Sequence, residues 1–203
     1  MGISFSRSGS SVDHITINDK QIEAVSSAKL LGVVVSDNLR WNAHVESICK
    51  KAATRLYFLK QLRCAKVPPK DTLLFYITCI RPVLEYACSV FHHSLPQYLS
   101  NEMEMLQKRA LRIMQPDLSY AEALVALDIT SLYQRRKALS NALFDQIVWD
   151  QSHKLHDLLP PRNESIYCTR SQRYFELPIC KTNRLETLLL WRTVLITSSN
   201  LNY

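Results

Sequence analysis

Glycine is scarce in this chain, with 3 among 203 residues. So little glycine disfavours an all-β fold, which needs many tight turns. It also leaves no material for a phosphate cradle: neither GxGxxG nor GxxxxGK followed by Ser or Thr occurs. None of the six cysteines (Cys49, Cys64, Cys79, Cys88, Cys168 and Cys180) forms a Cys-x-x-Cys pair. Most sit inside apolar helical patterns, where a reduced thiol behaves as a small hydrophobe. This argues against a disulfide scaffold and for a reducing compartment, cytoplasmic or nuclear. The first residues lack the apolar stretch of a signal peptide. The longest apolar segment, Leu73 to Phe91, carries Arg81, Pro82 and Glu85 and reads as a poor membrane span. Met1-Gly2-Ile3-Ser4-Phe5-Ser6 fits the N-myristoylation pattern, which is common by chance. The start reads as internal to a longer frame, so neither acylation nor a membrane partner is expected.

What the chain has is positive charge. The net charge is +7 and the isoelectric point about 9.2, which implies an acidic partner, nucleic acid or anionic membrane. Hydrophobic residues make up 47%, enough for a folded core rather than wholesale disorder.

The pattern predicts a small β element first. His14 to Ile17 and Gln21 to Val25 flank Asn18-Asp19 as a hairpin, and Leu30 to Val35 reads as a third, more buried strand. A helix follows from a cap at Asn42 to about Cys64, with Glu46 favouring its first turn. Its apolar stripe is Val45, Ile48, Ala52, Leu56, Leu59 and Leu62. Pro68 and Pro69 stop it. A second helix runs from Lys70 toward Phe91, kinked at Pro82. A third follows Pro96 to Met114, with Leu99, Met103, Leu106, Ala110, Leu111 and Met114 inward. Ser119 starts a short helix through Leu127. Ser131 starts a longer one through Trp149, with Leu132, Ala138, Leu139, Ala142, Leu143, Ile147 and Val148 mostly inward. A last short turn spans His153 to Leu159. Beyond Pro160-Pro161, Tyr167 to Ile179 reads as extended and Leu185 to Ile196 as helical. The expected class is α+β, mainly α: a short N-terminal hairpin plus a third strand, then about five helices. The expected divisions are a β element over 1–40, a helical array over 41–160 and an extension over 161–203.

Charge clusters on the first helix. Lys50, Lys51, Arg55, Lys60, Arg63 and Lys66 lie mostly off the apolar stripe, and Glu46 is the acidic residue among them. Along a helix stretch of about 30 Å several phosphates could be met at once. Lys108, Arg109 and Arg112 crowd the end of the third helix, where they also relieve its dipole. Arg135, Arg136 and Lys137 read as an ordinary solvated patch. Tyr57, Phe58, Tyr76, Tyr86 and Phe91 could stack on bases, but their helical spacing favours core packing.

Several blocks carry a family resemblance. They are Leu31-Gly32-Val33, Trp41-Asn42-x-His44, Lys50-Lys51-Ala52, and Arg55-Leu56 with Leu59, Leu62 and Arg63. Further on come Tyr76, Ile80-Arg81 and Leu84-Glu85-Tyr86, and then Leu106-Gln107-Lys108-Arg109-Ala110-Leu111-Arg112-Ile113. Ser119-Tyr120, Glu122-Ala123-Leu124, Leu132 with Arg135-Arg136, and Leu158-Leu159-Pro160-Pro161-Arg162 complete the series. In this order, from about Ser11 to Lys181, the chain resembles the region after the palm in reverse transcriptases of non-LTR, LINE-type retrotransposons. The resemblance implies a thumb-like and connecting part that grips a template–primer duplex. It also implies RNA or an RNA–DNA duplex as a partner read without sequence preference, and a contact to the absent palm. The paired-aspartate motif of the polymerase is missing, as is the endonuclease, so no enzymatic activity is expected. The pattern stops after Arg184.

The same helical stretch also resembles the N-terminal module of AlkB-homologue-8-type tRNA-modifying proteins. That family's dioxygenase needs an H-x-D iron triad. The nearest approach is His44-x-Glu46, and residues two apart on a helix do not face each other. His92-His93 and His153-x-x-His156 with Cys168 and Cys180 match no common zinc spacing. No metal and no cofactor are expected. The competing expectation is a helical protein–protein interaction module whose charge serves solubility.

Overall fold

The computed structural model describes residues 19–161 together with Gly2, Ile3, Phe5, Thr16, Ile17 and Phe175. The class is α+β, mainly α, with β hairpins preceding five helical bodies. The chain forms two compact units: Met1–Leu84 with Asn101–Tyr120, and Glu85–Ser100 with the chain from Ala121.

The first unit opens with β1 (Thr16–Ile17) and β2 (Lys20–Gln21), an antiparallel pair as the Asn-Asp turn predicts. Gly2 bridges to Ala24, its amide donating to the Glu23 carbonyl at 2.9 Å. The valine run is not the single third strand expected from it. It is half of a second hairpin, β3 (Ser27–Leu30) against β4 (Val33–Ser36), with Leu30 opposite Val33. Leu31 at φ 47° and Gly32 at φ 88° make the two-residue turn between them. Two positive φ values in succession match the type I′ turn, whose twist suits a hairpin. Gly32 adopts this freely; Leu31 does so at a cost of about 1–2 kcal/mol. Val33 turns inward while Leu30 and Leu31 stay exposed.

Helix α1 (Asn42–Cys64) has the predicted length. Asn42 is its first residue and not its cap; Trp41 takes that place, with no side-chain cap bond. Glu46 lies past the first turn and pairs with Lys50 at 2.5 Å. Val45, Ile48, Ala52, Leu56 and Leu59 are buried as expected, and Leu62 is half-buried. His44 is buried too, its Nδ1 accepting the Val34 amide at 3.3 Å, which ties β4 to α1. Burial, then Lys51, lowers its pKa and keeps the ring neutral. The helix ends before the prolines. Lys66 takes φ 57°, its amide donates to the Arg63 carbonyl at 3.0 Å, and the Val67 amide donates to Leu62 at 3.1 Å. This is a Schellman closure with lysine where glycine is usual.

The second helix runs on through Pro82, with a π turn just before that residue and an interruption after it at left-handed Ala87. α2 (Pro69–Phe75) passes into a π turn (Tyr76–Ile80) and then α3 (Arg81–Glu85). Pro82 has no amide to give the ladder. The extra residue of the π turn lets the Arg81 amide reach the Tyr76 carbonyl instead. Arg55 of α1 donates to the Cys79 carbonyl within this irregular stretch. On its other side, Tyr76 donates to Gln107 Oε1 at 2.8 Å and Gln107 Nε2 donates to the Tyr120 hydroxyl at 3.1 Å. The Tyr120 hydroxyl in turn donates to Glu104. Burial, then Glu104, pushes the Tyr120 pKa far up. Ala87, at φ 53°, separates α3 from α4 (Cys88–Phe91), and a 3-10 turn (His92–Ser94) follows. The span Pro69–Ser94 is long and apolar enough to cross a membrane by length and composition.

α5 (Gln97–Met114) buries all six residues predicted for its stripe. α6 spans Tyr120–Ala126 and α7 spans Leu132–Trp149. The Ser131 side chain accepts the Gln134 amide at 3.2 Å in a capping box. The buried face of α7 differs from the expected one. Leu132, Arg136, Ser140, Phe144, Ile147 and Val148 point in; Ala138, Leu139 and Ala142 are exposed. The four-residue step from Leu132 to Phe144 sets this face, and it passes through Arg136. A 3-10 turn (His156–Leu158) ends the helical run, and Phe175 packs on Phe144 and Val148. The expected strand Tyr167 to Ile179 and helix Leu185 to Ile196 lie outside the described residues, Phe175 apart.

Candidate nucleic-acid interface

Lys50, Lys51, Arg55, Lys60, Arg63 and Lys66 are all exposed, as are Lys108, Arg109 and Arg112. They do not form one line. At about 100° per residue, Lys50 stands opposite buried Leu59, while Lys51 and Lys60 lie on the two sides of the solvent half. Arg55 borders the buried stripe, and Arg63 falls in line with it but sits exposed in the last turn of the helix. Arg55 is engaged at the Cys79 carbonyl, which makes it a tie to the π turn as much as a surface charge. Lys66 lies beyond the helix on the closing turn. The α5 set occupies a different helix, and Lys108 Nζ sits 5.2 Å from the Tyr120 ring centre. The second helix meets α1 through Arg55–Cys79 and α5 through Tyr76–Gln107, so it stands between the two basic groups.

The aromatic residues correct the expectation of core packing. Tyr76 and Phe91 are fully buried, but Tyr57 is 60% exposed, Phe58 52% and Tyr86 55%. Tyr57 and Phe58 meet edge to face, with ring centres 5.8 Å apart. Projection around α1 puts Tyr57 between Lys50 and Lys60, and Phe58 beside Lys51. Neither position falls on the 45, 48, 52, 56, 59 stripe, but spacing alone does not say whether another segment covers a ring that lies off it.

The second unit holds a buried polar cluster that the sequence did not announce. Arg136, taken as part of a surface patch, has 0% exposure and donates through Nη2 to Ser100 Oγ at 2.8 Å. Arg135 Nε lies 2.6 Å from Glu85 Oε1. Nearby Cys88 and His92 are one turn apart on the chain, yet they make no nucleophilic pair. Burial, then Glu85, raises the Cys88 pKa. Burial, then His93, lowers the His92 pKa to about 4. Thiol and imidazole are both neutral near pH 7, so no thiolate is prepared. Among the described residues no three His, Cys, Asp or Glu side chains gather as a metal site. His153 Nδ1 accepts the Leu155 amide at 3.2 Å, and His156 Nδ1 lies 2.8 Å from the Ile147 carbonyl.

The fold and this surface define a mainly helical protein with a basic, aromatic-bearing first helix. Residues 41–81 match the family described as alkylated DNA repair protein alkB homolog 8, N-terminal. The matched span is α1, α2, the π turn and the first residue of α3, so the similarity belongs to this stretch of the first unit. No curated protein and no solved structure matches the chain.

Proposed function

We propose that this protein is a non-catalytic module that grips the sugar–phosphate backbone of RNA or of an RNA–DNA duplex without reading its sequence. The observation that supports it most is the solvent half of α1, where Lys50, Lys51 and Lys60 are exposed and Glu46 is the acidic residue of the helix. Lysine contacts to phosphate give affinity without base choice. The resemblance to the post-palm region of LINE-type reverse transcriptases supports the same reading, with the palm as a neighbouring partner. So does the DNA-repair description of the family that residues 41–81 match. The work belongs to the cytoplasm or nucleus.

Fluorescence anisotropy with an RNA–DNA duplex tests the reading. Four contacts, from Lys50, Lys51, Lys60 and Arg63, release counterions in proportion, so affinity should fall about 100-fold between 50 and 200 mM salt. The K50E/K51E/K60E/R63E variant should lose binding. Unchanged affinity in that variant would end the assignment. Arg55 stays out of the set because its change would also disturb the π turn.

Exposed apolar side chains favour a second reading, a helical interaction module. Leu74 and Met105 in the first unit, and Val125, Trp149 and Leu158 in the second, stand in solvent. A protein partner held in a salt-insensitive way, with no polyanion binding, would mark this alternative.

A further inference from the structure

We infer that the solvent face of α1 is a stacking platform for unpaired bases, so that the ligand of this helix is single-stranded nucleic acid rather than the interior of a duplex. The inference rests on the backbone-binding reading above and specifies its substrate. Two large rings, Tyr57 and Phe58, sit more than half exposed at adjacent positions of a regular helix. Among the described residues they remain largely open to solvent, and the 72° between their planes turns the rings in different directions. Each ring has a lysine seven residues earlier on nearly the same line, Lys50 for Tyr57 and Lys51 for Phe58. Seven residues are about 10 Å of helix, within reach of the phosphate of a stacked nucleotide or of its neighbour. Lys60 follows Tyr57 by three residues and extends the charge past the rings.

The charge decides the occupant. A purely apolar partner would meet three desolvated lysines beside the rings, and an acidic strand with flat apolar faces satisfies both features. Duplex DNA or RNA hides its base faces within the stack, so it can use the lysines but not the rings. A single strand uses both, and stacking on aromatic side chains tolerates any base.

The test compares an unstructured oligouridine with an RNA–DNA duplex of equal length, by anisotropy at 50 mM salt on the full chain. Y57A/F58A should weaken oligouridine binding by about tenfold for each ring, with duplex affinity within twofold of the parent. Y57L/F58L keeps apolar area and loses the flat ring, so it should behave as the alanine variant does. Because both side chains are exposed, circular dichroism should show an unchanged helix content in each. Oligouridine affinity within twofold of the parent in Y57A/F58A would overturn the inference. Parent-like binding by Y57L/F58L would overturn it too, because apolar area without a flat ring would then be enough. The quadruple charge reversal separates the two levels. If it abolishes binding while the ring variants do not matter, stacking alone is wrong. If it changes nothing, the backbone reading fails first.

Discussion

Replacing Tyr76 by phenylalanine removes one oxygen atom from a side chain with 0% exposure. That oxygen donates to Gln107 at 2.8 Å, and Gln107 is itself buried and passes the chain of bonds on to Tyr120 at 3.1 Å. The hydroxyl therefore fastens the π turn to α5. The ring and its packing are kept in Tyr76→Phe, so no cavity opens. What is lost is one neutral hydrogen bond, together with the desolvation of an acceptor that loses this donor, about 1–3 kcal/mol in all. For a chain of this size each kcal/mol moves the melting temperature by about 2–4 °C. The expected fall is thus roughly 2–12 °C by circular dichroism, with a lower urea midpoint at an unchanged m-value. Tyr57→Phe is the matched control, since its ring is 60% exposed and its hydroxyl should be replaceable by water without loss. A Tyr76→Phe protein melting within 1 °C of the parent would refute the assignment of this bond as the fastening between π turn and α5.

Two further perturbations follow from particular groups. His92 ionises at about 6.5 in an unfolded chain and is held to about 4 in the folded protein, first by burial and then by His93, Arg136 and Lys137. As pH falls the unfolded chain takes the proton first. Stability is full above about 6.5 and is lost toward pH 4, by roughly 2 kcal/mol from this group. Urea titrations between pH 7 and 4 should show a shallower loss in His92→Gln. Lys66→Gly places the usual residue at the left-handed closing position of α1, so it should raise the unfolding free energy by about 1 kcal/mol; a drop in urea midpoint would contradict the Schellman reading.

Much of the helical frame was legible from periodicity. The stripes of α1 and α5 were read correctly because their apolar residues recur at three- and four-residue steps with charge on the other side. The start of α7 was read from Ser131, and a capping box is present there. The inward face of α7 was misread because its buried line runs through Arg136 and Ser140, which apolar counting skips. The valine run was misread for a related reason: β-branched residues mark strand, not where the strand reverses. That depended on Leu31 and Gly32 taking positive φ.

The candidate site divides in the same way. Its charges could be read directly, since a lysine on a helix with one acidic residue has few places to hide. Its rings could not, because an aromatic residue is apolar by composition whether it faces core or water.

The chain's order of residues thus determined that there would be a basic first helix, a second helix disturbed around Pro82 and no glycine-rich phosphate loop. These are local properties, set by spacing and by what each backbone unit can donate. Tertiary structure alone decided that Arg55 turns to the Cys79 carbonyl, that Arg136 goes inside, and that Tyr57 and Phe58 remain in solvent. Those outcomes depend on which neighbouring surfaces are near enough to desolvate a group and supply its partner, and that proximity is a property of packing between segments distant along the chain.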